Sequence, residues 1–274
     1  MHEIHLYKPG DIDVRINFPE HWNECLLSEL QHIAAAIFVK RKTQPELFVQ
    51  LLRCRIMDLL PLLKKSELDR ICMLLNLDDL SLAYADLMKF IFESVKLTQQ
   101  PLPLLCQKFV GPDSNFENIT VGEFEDADNL LMQFRDIDDS KKHEAHSIIE
   151  QFAMVLYRPV QNGMRIPYRN YRANDRTKMQ FNQIPKPLLY IVKLWFVGCK
   201  SMLPEMFPLV FSPPDKGDKP TLSSDTAEPD PFAFTKLIHL GAGPKNGTRD
   251  HIREMRLLEF LFDLNLEFEK NTIG

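Results

Sequence analysis

The stretch that most constrains the fold is Leu188–Leu203, LLYIVKLWFVGCKSML. It is the longest apolar stretch of the chain, and a stretch of that kind is either buried or spans a membrane. Lys193 and Lys200 interrupt it, and it is shorter than the roughly 20 residues a membrane-spanning helix needs. It therefore reads as a buried helix of a soluble protein. The N-terminal MHEIHLYKPGDIDVRINFPEHW has no apolar core and no cleavage site, so it does not read as a secretory leader.

Amphipathic helices surround this stretch. Leu26, Leu27, Leu30, Ile33, Ala34, Ile37 and Phe38 recur at helical spacing. Pro45 opens a second helix with Leu47, Phe48, Leu51, Leu52, Leu59 and Leu60, which Pro61 interrupts. Ser66 and Asp69 resemble a capping box at the start of a helix through Leu75, and another runs from about Asp79 to Ser94. Further on, Phe124, Leu130, Leu131 and Phe134 mark one helix, and Ile148, Ile149, Phe152, Ala153 and Leu156 mark the next, capped by Ser140. Strand signals are few. IHLYK and DVRINF flank a Pro9-Gly10 turn and read as a hairpin, and NFENIT reads as a short extended piece. Between Pro159 and Pro187 the periodicity is lost, and irregular structure is expected. The fold class is mostly α, an irregular helical bundle with a short N-terminal β-hairpin.

Composition divides the chain. QQPLPLL and Gly111-Pro112-Asp113 punctuate it between residues 98 and 118, where two helical subdomains meet. The expected organisation is a hairpin plus helical subdomain over 1–100 and a second helical subdomain over 113–211. A flexible linker over 212–231, rich in Pro, Ser, Asp and Lys, leads to a C-terminal helical segment over 232–274. In that last segment Gly241 stops one helix, and Thr248 or Asp250 starts the next. The alternating tail FDLNLEFE leaves a strand open there.

With 45% hydrophobic and 26% charged residues, the chain has an ordinary globular balance. Its formal net charge of -5 excludes a protein that is basic overall, but not a local basic patch. Cys25, Cys54, Cys72, Cys106 and Cys199 are widely spaced and form no CxxC pair, so they read as reduced, buried thiols.

Few residues carry a chemical signature. His143, His146 and Glu150 share a helix face, but the spacing matches neither a zinc-peptidase helix nor a di-iron bundle, so no metal is assigned. Glu123, Glu125, Asp126, Asp128, Asp136, Asp138 and Asp139 read as a solvated face matched to a helix dipole. GAGPKNGT at 241–248 lacks the Lys of a phosphate-binding loop. No pattern points to an enzyme or a cofactor.

The unusual segment is LYRPVQNGMRIPYRNYRANDRTK, residues 156–178. Arginines alternate there with tyrosines, a composition found at protein hot spots and in single-strand nucleic-acid grooves. Three roles stay open: packing against the preceding acidic stretch, binding a protein, and binding nucleic acid through 157–178. The residues nominated as a partner surface are Tyr157, Arg158, Arg165, Tyr168, Arg169, Tyr171 and Arg172.

Three stretches resemble tail-assembly-chaperone-like and related virion-morphogenesis proteins of tailed phages and prophages. They are INFPEHWNECLLSELQHIAAAI, then ITVGEFEDADNLLMQF with FAMVLYRP, and the ending PFAFTKLIHLGAGPKNGTRDHIREMRLLEFLFDLNLEFEKN. The resemblance implies a non-enzymatic protein that binds a tail or other virion protein, a tape-measure protein among the candidates, during tail or virion assembly. It places the chain in the host cytoplasm or in the particle. The alternative from the residues themselves is a single-stranded nucleic-acid-binding protein.

Overall fold

Alternation of apolar side chains in the first eighteen residues sets the N-terminal element. The computed structural model describes residues 1–8, 12–40, 44–59, 85–137, 142–161, 164–211, 233–243 and 247–273. Strands β1 (His2–Lys8) and β2 (Ile12–Phe18) pair antiparallel, with Ile4 opposite Ile16 and His2 opposite Phe18. Ile4, Leu6, Ile16 and Phe18 point to one buried face, as a period of two requires. The Pro9-Gly10 turn lies outside the described residues, as do Cys72, the expected Ser66–Leu75 helix, the Ser140 cap and the 212–231 linker.

The chain divides into two units. The first comprises Met1–Pro101 with Pro185–Gly198, and the second Leu102–Ile184 with Cys199–Gly274. In the first unit, α1 (Leu27–Ala35) runs into a π-helical turn (Ala36–Lys40), and α2 (Gln44–Leu59) follows. Their stripes bury Leu30, Ile33 and Ala34 on α1, and Leu47, Phe48, Leu51, Leu52 and Ile56 on α2. Glu29 and Arg55 are buried between these stripes as a two-point ion pair, with nitrogen–oxygen distances of 2.7 and 2.8 Å. Trp22 lies in a 3-10 turn and donates its indole N–H to the carbonyl oxygens of Phe90 and Ser94, at 3.0 and 3.2 Å. Of the helix expected near 79–94, the described part is a 3-10 turn (Ala85–Met88) and α3 (Lys89–Phe92).

In the second unit, β3 (Leu104–Leu105) and β4 (Phe109–Val110) precede α4 (Val121–Arg135) and α5 (Lys142–Leu156). Next come β5 (Arg158–Gln161), β6 (Met164–Arg165) and α6 (Asp175–Asn182). The order β3-β4-β5-β6 forms an antiparallel sheet. This corrects the expectation of irregular structure over 159–187: strands of two to four residues are too short to show periodicity. NFENIT is likewise not extended throughout, since Ser114–Phe116 forms a 3-10 turn.

The apolar stretch is helix α7 (Lys186–Met206), which contributes residues 186–198 to the first unit and the remainder to the second. Leu189, Ile191, Val192, Leu194, Trp195, Phe196, Cys199 and Leu203 are buried on it. Trp195 donates its indole N–H to the Thr98 carbonyl at 3.1 Å. Gly198 is required for the Leu97 backbone to approach, because a Cβ there would lie 2.3 Å from the Leu97 carbonyl oxygen.

The second unit closes with α8 (Pro208–Phe211), α9 (Ala233–Gly241), α10 (Arg249–Glu254) and α11 (Leu257–Ile273). Thr248 caps α10, accepting from the His251 amide at 3.4 Å. FDLNLEFE is helical, with Leu257, Phe260, Leu261 and Leu264 buried on α11. Among the described cysteines, Cys199 is buried, Cys25 and Cys54 are half-buried, and Cys106 is exposed. All four are free thiols, and burial pushes the Cys199 thiol up to about 12. Among the described residues no helix is long and apolar enough to cross a membrane.

Candidate functional site: an arginine-lined cleft

The site begins with the start of α4. Thr120 caps the helix: its hydroxyl accepts from the Glu123 amide at 3.3 Å, and Glu123 Oε2 accepts from the Thr120 amide at 2.8 Å. This reciprocal pair fixes Glu123 in the first turn, where its side chain is 0% exposed. Glu125 is buried as well, and Asp126 and Asp128 are half-buried. The reading of this acidic stretch as a solvated face is thus corrected for its first turns. Asp136 is exposed, and Asp138 and Asp139 lie outside the described residues. Dipole matching accounts for acids at a helix start, but here arginines distant in sequence decide their burial.

Those arginines arrive from two directions. Arg158 is at the start of β5, paired with Val110 on β4, and Arg165 is on β6 opposite Val160. Both point at Glu123 Oε1, Arg158 Nη2 from 2.6 Å and Arg165 Nη2 from 3.1 Å. Arg165 also donates to the carbonyl oxygens of Leu156 and Asn118, at 2.9 and 3.1 Å. From the other side, the Val121 amide donates to the Met255 carbonyl at 3.0 Å, and the Leu257 amide to that of Ile119 at 2.9 Å. These bonds strap the α10–α11 junction to the start of α4. Gly122 permits the close approach, since a Cβ there would sit 3.0 Å from the Arg253 carbonyl oxygen. Arg253 consequently pairs with both Glu125 and Asp126, the latter at 2.8 Å. Glu125 also receives Arg249 at 3.2 Å and the Thr235 hydroxyl at 2.7 Å.

Tyr168 bridges the two groups. Its hydroxyl donates to Asp126 Oδ2 at 2.5 Å, and the Arg158 guanidinium carbon lies 5.4 Å from its ring centroid. Burial raises the Tyr168 hydroxyl above its ordinary range, and the bond to Asp126 adds to this. Burial also raises the Asp126 carboxyl. It lowers both guanidiniums, that of Arg158 to about 10, where neighbouring Arg165 pushes the same way and Glu123 opposes.

These side chains line a cleft of about 1200 Å3. Of the seven nominated residues, Arg158, Arg165, Tyr168, Arg169 and Arg172 face it. Arg169 and Arg172 are exposed; the first pairs with Glu254 at 2.7 Å, and the second donates to the Tyr171 carbonyl at 2.9 Å. Tyr171 is half-buried and lines a neighbouring cleft of about 610 Å3 with Met154 and Lys178. Tyr157 is 0% exposed, donating its hydroxyl to the Leu102 carbonyl at 2.6 Å. It packs against Gly111 as a structural side chain and does not reach the cleft.

Residues the sequence reading did not place here are Asn118, Thr120, Asp250, Arg253 and Glu254. Away from the cleft, His146 Nε2 lies 2.9 Å from Glu150 Oε1, and His143 is exposed. Among the described residues no three His, Cys, Asp or Glu side chains are grouped to hold a metal ion.

No family model, curated protein or solved structure matches the chain.

Proposed function

We propose that this is a non-enzymatic protein that binds a protein partner through the arginine-lined cleft. The observation that carries this reading is the convergence of Arg158, Arg165, Tyr168, Arg169 and Arg172 on one cleft, with Arg169 and Arg172 exposed. Arginine and tyrosine around a concave surface are hot-spot chemistry. The resemblance to tail-assembly proteins supplies the partner class, a tail or other virion protein met in the host cytoplasm and retained in the particle if the chain is structural.

A single-stranded nucleic acid suits the cleft less well. Binding such strands relies on presented aromatic faces. Tyr157 is buried, and the Tyr168 ring lies against Arg158 with its hydroxyl fixed.

The test is tagged capture from cells expressing the neighbouring genes, with nuclease and a high-salt wash. A tail or other virion protein that survives both, and is lost with Arg169→Ala/Arg172→Ala, is the expected result. Nucleic acid alone, released by salt, would overturn the reading, because phosphate binding weakens steeply with ionic strength.

A further inference from the structure

One end of the cleft carries more positive charge than its described neighbours neutralise. Arg158 and Arg165, with side chains 3% and 9% exposed, share Oε1 of Glu123. Two buried guanidiniums thus lean on one carboxylate. Asp113 draws on Arg165 from an exposed position, and among the described residues no other carboxylate pairs with either arginine. The companion cluster is built from direct ion pairs: Arg249 and Arg253 meet Glu125, and Arg253 also meets Asp126, on which Arg172 draws as well.

Hydrogen bonding shows the same deficit. Nε and Nη1 of Arg158 have no hydrogen-bond partner among the described residues, although the side chain is almost wholly buried. Buried charged donors left unpaired are costly, and native proteins retain few of them. Here the charge excess and the unused donors occur on the same side chain, and that side chain lines a cleft of about 1200 Å3.

We infer that the Arg158–Arg165 end of the cleft is a carboxylate-binding subsite, which takes an Asp or Glu side chain from an acidic segment of the protein partner. This rests on the partner-binding reading above and names the chemistry the partner must carry. A carboxylate brings one negative charge to two buried guanidiniums that share one buried carboxylate, and it accepts hydrogen bonds from guanidinium donors. The Tyr168 ring lies beside the Arg158 guanidinium and also lines the cleft.

The experiment is fluorescence anisotropy of labelled hexaglutamate and hexaglutamine peptides with the full chain, run beside the capture assay. The wild-type chain is expected to bind hexaglutamate at least about tenfold more tightly than hexaglutamine. Arg158→Met is expected to erase that difference, with its circular dichroism spectrum unchanged. Arg165→Met provides the same comparison if Arg158→Met does not fold. Equal binding of the two peptides by the wild type would overturn the subsite, as would a preference that survives in a folded variant. Displacement of hexaglutamate by a single-stranded oligothymidine of equal charge, at lower concentration than free hexaglutamate requires, would overturn it in favour of phosphate. If folded Arg158→Met still captures the virion protein while Arg169→Ala/Arg172→Ala does not, the subsite falls and the docking reading stands. If the wild type captures no virion protein, the docking reading falls whatever the peptides do.

Discussion

Arg158 Nη2 lies 2.6 Å from Glu123 Oε1, and the two side chains are 3% and 0% exposed. Because Arg165 uses the same oxygen, the two members of this pair are not equivalent. Removing Arg158 leaves a balanced Arg165–Glu123 pair. Removing the charge of Glu123 leaves two buried cations together. Arg158→Met is therefore expected to shift stability by less than about 2 kcal/mol, and Glu123→Gln to cost about 3–5 kcal/mol. Glutamine at this position can still complete the helix cap, so the loss reads the charge rather than the cap. Urea midpoints of the two variants check the asymmetry, and equal losses would contradict it.

Tyr168→Phe removes the hydroxyl from Asp126 but leaves Arg253 paired with that carboxylate. The expected cost is about 1.5–3 kcal/mol, the range for a hydrogen bond to a charged group. Chemical denaturation measures it. An unchanged midpoint would mean that the hydroxyl contributes nothing to the fold.

The segment 157–178 was legible in the sequence as chemistry, because alternating arginine and tyrosine is visible without any fold. Its geometry was not. Tyr157 and Arg158 are inward because Arg158 pairs with Val110 across strands too short to leave a pattern. The burial of Glu123 depends on Arg158 and Arg165, and that of Glu125 on Arg253, which long-range strapping brings to the same helix turn. No local signal marks Arg253; it sits on a six-residue helix on which Ile252 is the buried residue. By contrast, α1, α2, α5 and α7 follow directly from apolar spacing, and the hairpin follows from alternation.

Lys193 gives a pH signature in the first unit. Burial lowers its ammonium to about 8 from an ordinary 10.5, while its Nζ lies 4.5 Å from the centroid of the Phe38 ring. Between those two values the unfolded chain binds more protons than the native one, so this lysine's contribution to stability rises with pH through that window. Lys193→Met is expected to gain about 1–3 kcal/mol at pH 7, less whatever the ring contact returns. The gap between variant and wild type should narrow from pH 8 to pH 10.5. Midpoints at several pH values measure it, and a constant gap would contradict the assignment.

Two glycines form a matched pair of tests. A Cβ at Gly198 would meet the Leu97 carbonyl oxygen at 2.3 Å, whereas one at Gly243 has no described heavy atom within 4 Å. Gly198→Ala is expected to lose at least about 2 kcal/mol through forced backbone displacement, and Gly243→Ala to stay within about 0.5 kcal/mol. Thermal melts of the two single variants make the comparison. Similar melting points would show that Leu97 can give way.

The most direct test of the cleft as a docking surface is amide hydrogen exchange on the chain alone and in complex with its captured virion partner. Slowed exchange over 158–172 and 249–254, with the first unit unchanged, is the predicted result. Unchanged exchange across both of those segments, with protection elsewhere in the chain, would contradict it.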